Sequence, residues 1–206
     1  VLFRSGKFLA SWIFAAAALV LTFPFWLTVN YLGAPDNGVI AGSYLGSWVL
    51  AGCMLAISQT MSALTKNQVI ALVLAVIVNF LVFLSGVEYV LGFFRMFAPA
   101  AVVDMVASFS FLVHFGTIAG GLLEMRDVVF FVSVILLFNV TTILVVSFRT
   151  SGTSRWLKST QAAYYVLFFL LLLTAFTGLN LTANRFLRTE QYDFTQEKLH
   201  TLTPSS

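Results

Sequence analysis

Residues 88–127 form an apolar stretch punctuated by the ionisable side chains of Glu88, Arg95, Asp104, His114, Glu124 and Arg126, and it ends at Asp127. Three of these, Glu88, Asp104 and His114, have types suited to handling protons or gating a path. An imidazole changes charge near neutral pH, and a carboxylate can trade a proton with it. Ionisable groups at membrane depth are expensive and mark substrate or ion routes. One reading makes them an outer gate or pathway. A second uses Asp104 and His114 as an acid–base pair in an intramembrane enzyme. A third is structural: His114 as a hydrogen-bonded histidine at a membrane face, and Glu88 as a solvated residue following Ser85-Gly86-Val87.

Other chemistries have no residues to carry them. Gly6-Lys7 lacks the rest of a phosphate-binding loop, and no G-x-S-x-G, H-E-x-x-H or C-x-x-C occurs. Cys53 is a lone cysteine in an apolar run, so it forms no intrachain disulfide and no metal site. No catalytic, cofactor-binding or metal-ligating residue is therefore assigned. The chain is 60% hydrophobic and 9% charged, where a soluble domain carries about 25% charged residues. A net charge of +3, thinly spread, gives no nucleic-acid surface. The partner these numbers demand is a lipid bilayer.

A crossing helix needs about 20 apolar residues. Residues 8–32, 39–64, 69–87, 128–148 and 161–184 meet that length without a charge, so the expected fold class is an all-α integral membrane protein with five transmembrane helices. Backbone groups in lipid must be satisfied internally, which excludes open strands. Pro24 should kink the first span. Gly42 and Gly46, four apart, would let two helices approach closely. Asn79 and Asn139 should hydrogen-bond between helices. Residues 88–127 are expected to form short re-entrant or interfacial helices on the outer face. A sixth crossing through residues 100–123 is the alternative.

Five crossings sort the loops into two sets. One holds Arg4, Lys7, Lys66, Arg149, Arg155 and Lys158 and no acid. The other holds all 8 acids. Short loops rich in Lys and Arg stay in the cytoplasm, which places the N-terminus inside and residues 185–206 outside. The first five residues, VLFRS, match the translation of a common sequencing-adapter end. Residues 1–5 are expected to be non-native and the chain to be a fragment.

Gly6-Lys7-Phe8-Leu9-Ala10, Tyr31-Leu32-Gly33-Ala34-Pro35-Asp36 and Ser62-Ala-Leu-Thr65-Lys-Asn67-Gln68 resemble permeases of the ABC-2 type, closest to the branch associated with gliding motility. His114-Phe115, Gly120-Gly121 and Arg126-Asp127-Val128-Val129-Phe130 resemble the stretch before the last permease span. Tyr192-Asp193-Phe194-Thr195-Gln196-Glu197-Lys198-Leu199-His200-Thr201-Leu202-Thr203-Pro204 resembles the opening of the auxiliary extracytoplasmic component of the same transporter, with His200 in place of a Tyr. The resemblance implies a partial permease domain over residues 6–148 with four spans. A cytoplasmic linker over 149–160, a fifth span over 161–184 and the start of a truncated extracytoplasmic domain over 185–206 would follow. A short disordered tail is the alternative for the last segment. The resemblance further implies a separate cytosolic ATPase holding ATP and Mg, a second permease copy or homologue as dimer partner, and a bacterial cytoplasmic membrane. A membrane anchor for an outer binding module, without transport, is the rival function.

Overall fold

The computed structural model describes residues 2–99, 103, 109–150, 155–187 and 191–195. Their order is α1 (Leu2–Leu21), α2 (Phe23–Leu32), α3 (Asn37–Leu64), α4 (Gln68–Leu84), α5 (Glu88–Arg95), α6 (Phe111–Ala119), β1 (Leu122–Glu124), α7 (Met125–Thr150), α8 (Arg155–Phe186) and β2 (Gln191–Asp193).

The helix boundaries follow from local chemistry. α1 and α2 are one apolar rod, broken at Thr22 because Pro24 has no N–H to give and its ring crowds the preceding turn. Tighter bonds bridge the break, from Thr22 N to Leu19 O (3.0 Å) and from Phe25 N to Thr22 O (2.9 Å). Asp36 caps α3, its Oδ1 accepting from the amides of Gly38 (2.8 Å) and Val39 (3.3 Å). That cap starts the helix at Asn37, within Gly33-Ala-Pro-Asp-Asn-Gly38, a turn by composition. Asn67 caps α4 in the same way through Val69 N at 2.9 Å.

α3 is the central post. On one side it packs against α1 through a reciprocal pair, Trp12 Nε1 donating to Trp48 O (2.9 Å) and Trp48 Nε1 to Trp12 O (3.3 Å), with the indoles stacked 4.7 Å apart. Gly52 makes room for that stack, since a Cβ there would lie 2.8 Å from the Trp12 ring. Tyr44 and Asn37 tie the start of α3 to Thr22 and Trp26. On another side α3 meets α7 along its length. Thr60 Oγ1 lies 2.9 Å from Thr142 Oγ1 and 3.0 Å from Phe138 O. Cys53, Ile57, Phe111, Ile118, Phe130, Phe131 and Val134 form the apolar core beside them. α4 joins α3 through Asn79 Nδ2 and Ser58 Oγ at 3.1 Å, whereas Asn139 donates to Ile135 O of its own helix. α8 joins α7 through Asn180 Nδ2 and Ser133 Oγ at 3.0 Å.

These contacts set α1–α2, α3, α4, α7 and α8 in alternating directions. Lys7, Lys66 and Arg149 come to one end, where Arg149 donates to the last carbonyl of α3, Leu64 O. Asp36, Glu88, Glu124 and Asp127 come to the other. That second end carries α5, α6 and the two strands and is termed the cap end here.

Among the described residues, four helices are long and apolar enough to cross a membrane, over Gly6–Leu32, Asn37–Leu64, Met125–Thr150 and Ala163–Phe186. α4 is apolar but has 17 residues, two fewer than the stretch of 69–87 read from sequence. It stops early because another segment crosses its end: a Cβ on Gly86 would meet Ser110 Oγ at 1.7 Å. Outward faces of α1 and α8 bear bare apolar side chains such as Phe14 (75% exposed) and Leu171 (63%), which water would not tolerate in such numbers. The described part of residues 100–123 does not cross. α6 has nine residues, a rise of roughly 13 Å, and it lies across the start of α3.

Among the described residues, strand pairing departs from the helical pattern in one place. β1 and β2 pair antiparallel, Leu122 opposite Asp193, Leu123 opposite Tyr192 and Glu124 opposite Gln191. Gly121, at φ +85, turns the chain from α6 into β1.

Gly42 and Gly46 are the face on which α6 rests. A Cβ at Gly42 would sit 2.4 Å from Ile118 O, a backbone atom that cannot swing aside. At Gly46 the nearest atoms, 3.2–3.3 Å away, belong to the side chains of Ile118 and Phe115. Gly42→Ala is therefore expected to destabilise the protein by about 1–3 kcal/mol in detergent unfolding, with a smaller loss for Gly46→Ala. Gly116→Ala, which meets nothing within 4 Å, should be neutral or stabilising.

Candidate functional site

The cap end holds a buried ionic cluster. His114 sits mid-way along α6, whose first turn is capped by Ser110 Oγ on Leu112 N at 3.2 Å. Asp127 lies in the first turn of α7, where the helix dipole favours an acid. His114 Nδ1 and Asp127 Oδ1 are 2.6 Å apart, with the imidazole 9% and the carboxylate 0% exposed. Phe130, one turn along α7, stacks on the imidazole at 4.0 Å and 19°. The ring is thus fixed in plane as well as at one nitrogen, and toward an ionised Asp127 carboxylate Nδ1–H is the donor.

Arg126 extends the cluster. Its Nε contacts the Glu124 carboxylate and lies 3.6 Å from Asp127 Oδ1. Its Nη1 donates to Asn184 Oδ1 at 3.1 Å, near the end of α8. With a neutral imidazole these four ionisable residues carry one excess negative charge. With an imidazolium they balance. Asp127 Oδ2 is buried with no hydrogen-bond partner among the described residues. A cavity of about 50 Å³ opens beside the cluster, lined by His114, Arg126, Asn180 and Asn184 together with Phe109, Val113 and Leu181. Its size, and the polar groups of His114, Arg126, Asn180 and Asn184 on its wall, suit one or two waters.

Of the three candidates read from sequence, His114 lies in this cluster. Glu88 lies apart from it, exposed in the first turn of α5. Asp104 lies outside the described residues, so the Asp104–His114 pair of the enzymatic reading has no geometry here. The cluster's other members, Glu124, Arg126, Asp127 and Asn184, were not among the candidate site residues read from sequence. The available signal was Glu124-Met-Arg126-Asp127, three charges packed immediately before the apolar run of residues 128–148. No group of three or more His, Cys, Asp or Glu is placed to hold a metal ion among the described residues.

Comparison with family models, curated proteins and solved structures gives no match to this chain. Function must therefore be argued from geometry and from the sequence resemblance.

Breaking a buried ion pair leaves an uncompensated charge and costs more than the pair contributes. Asp127→Ala should lower stability by about 3 kcal/mol in detergent unfolding. A double-mutant cycle with His114→Ala should show coupling of about 1–3 kcal/mol. Glu88→Gln, on an exposed residue, should change stability by less than about 0.5 kcal/mol.

Proposed function

We propose that this chain is the membrane-spanning part of a permease subunit in an ATP-driven exporter of the ABC-2 type. The observation that carries the reading is how α4 is joined to α7. Among the described residues between them, α5 and α6 are short helices at the cap end, and α6 beds on the Gly42 and Gly46 face of α3. A short helical cap before the last permease span is what the sequence resemblance implies for this stretch.

In this reading five helices cross the bacterial cytoplasmic membrane, with α4 crossing at the short end of the range that a bilayer accepts. The end with Lys7, Lys66 and Arg149 faces the cytoplasm, and the acidic cap end faces outward. A second permease half completes the path. A separate cytosolic ATPase binds ATP and Mg and closes. Its binding energy moves the spans only if it favours one arrangement of them over the other. The long helices act as levers, and the cap, with His114 and Asp127 at its base, acts as the outer gate. The substrate could be lipid, polysaccharide or peptide; the same machinery also suits mechanical work at the cell surface.

Sidedness has a direct test. Glu88→Cys should react with a membrane-impermeant maleimide in intact cells, and Lys66→Cys only after permeabilisation. Function has a separate one. Affinity purification of the tagged protein from its native cells should bring down a subunit with vanadate-sensitive ATP hydrolysis. Joining α3 to α6 by oxidising Ser43→Cys with Ala119→Cys should then stop ATP-dependent export, because Ser43 Oγ already lies 3.2 Å from Ala119 O. Export that persists through the crosslink would remove the gate from the mechanism. Purification without any ATPase would favour the membrane-anchor reading.

A further inference from the structure

The strand that follows α8 is seated with more care than a tail requires. Phe194 N donates to Gly121 O at 2.9 Å, extending the β1–β2 pairing by one bond. The Phe194 carbonyl lies against the Cα of Gly38, where an added Cβ would meet it at 1.7 Å. Thr195 is 4% exposed, its amide held by Asp193 Oδ1 at 2.9 Å and its methyl lying where a Cβ on Gly121 would contact it at 3.0 Å. Residues 191–195 therefore fill a slot between the first turn of α3 and β1. Two glycines, Gly38 and Gly121, are what leave that slot open.

The strand also reaches the ionic cluster from two directions. Gln191 pairs with Glu124, and Glu124 is the acid that contacts Arg126. Arg126 in turn holds Asn184, on the last turns of the helix that precedes the strand. Movement of β2 pulls on β1, and β1 ends in a side chain of the cluster. Among the described residues, the backbone attachment is a three-residue ladder with one further bond, and it carries one buried threonine. Short edge ladders of this kind open before the packed core of a protein does.

We propose that residues 191–195 are a releasable strap, whose docking holds α6 and the His114–Asp127 pair in place. Displacement of the chain beyond α8 is thereby passed to the buried cluster. Docked, the strap fixes Glu124 and Arg126 and keeps the cavity small. Released, it frees β1 and loosens α6 from α3. The coupling depends on the contacts above and stands whether or not the protein exports anything.

Two variants release the strap by unrelated means. Gly38→Val puts a side chain where the Phe194 carbonyl sits. Phe194→Pro removes the amide that binds Gly121 O. Each is combined with Thr195→Cys in the full chain, and alkylation by a soluble maleimide reports release; Cys53, fully buried, stays silent. Amide hydrogen exchange reports the cluster. Both variants should raise alkylation at position 195 and speed exchange over Phe111–Ala119 by roughly tenfold or more, with the α3–α7 contact at Thr60 unchanged. Phe194→Ala, which keeps the amide and trims a half-exposed ring, should match the parent. If position 195 becomes reactive in both variants while Phe111–Ala119 exchanges at the parent rate, the strand is mere trim. If position 195 stays shielded in both, the strap is not releasable, and the inference fails on that ground.

Discussion

A polar group below the membrane surface must find its partner inside the protein, because lipid supplies none. The interior of this molecule is organised by that constraint. Each pair of packed long helices is joined by at least one polar contact: Trp12 with Trp48, Ser58 with Asn79, Thr60 with Thr142, and Ser133 with Asn180. Apolar packing alone would give these helices little reason to prefer one another over lipid tails. The hydroxyls and amides supply the preference, and most of them also bond back to their own helix, as Thr60 does to Ala56 O at 2.9 Å. The cluster at the cap end is the same rule applied to charge. His114, Glu124, Arg126 and Asp127 tolerate burial because each meets another.

Small residues decide where the helices may touch. Gly42 and Gly46 admit α6, Gly52 admits the Trp12 indole, and Gly38 admits the strand after α8. All four lie on α3, and they face three different neighbours. This helix therefore serves as the reference body against which the other elements are positioned. Its capped start at Asp36 fixes the register of every one of those contacts.

Much of the helical frame was legible from residues 1–206. Apolar run lengths located the long helices, and Pro24 announced the break at Thr22. Gly42 and Gly46 stood out by spacing alone. What the sequence did not disclose depended on distant partners. The end of α4 is set by Ser110 pressing on Gly86, and nothing near residue 86 signals it. Sequence reasoning paired His114 with Asp104, ten positions before it. The carboxylate that His114 meets instead comes from Asp127, after a left-handed turn at Gly121 and a strand, so no helical period links the two. β2 pairs with a segment on the far side of two long helices in the chain, and three residues of mixed character carry no strand pattern of their own.

The separation of partners along the chain bears on how the protein is made. α1, α2 and α3 satisfy one another within 36 residues, through Trp12, Trp48, Thr22, Tyr44, Trp26 and Asn37. That hairpin can settle as soon as it leaves the ribosome. The opposite face of α3 has to wait, since Thr60 and Cys53 meet partners 82 and 78 positions later. During the interval the Thr60 hydroxyl has its own Ala56 carbonyl to hold, so the half-built bundle need not bare an unmet donor to lipid while synthesis continues.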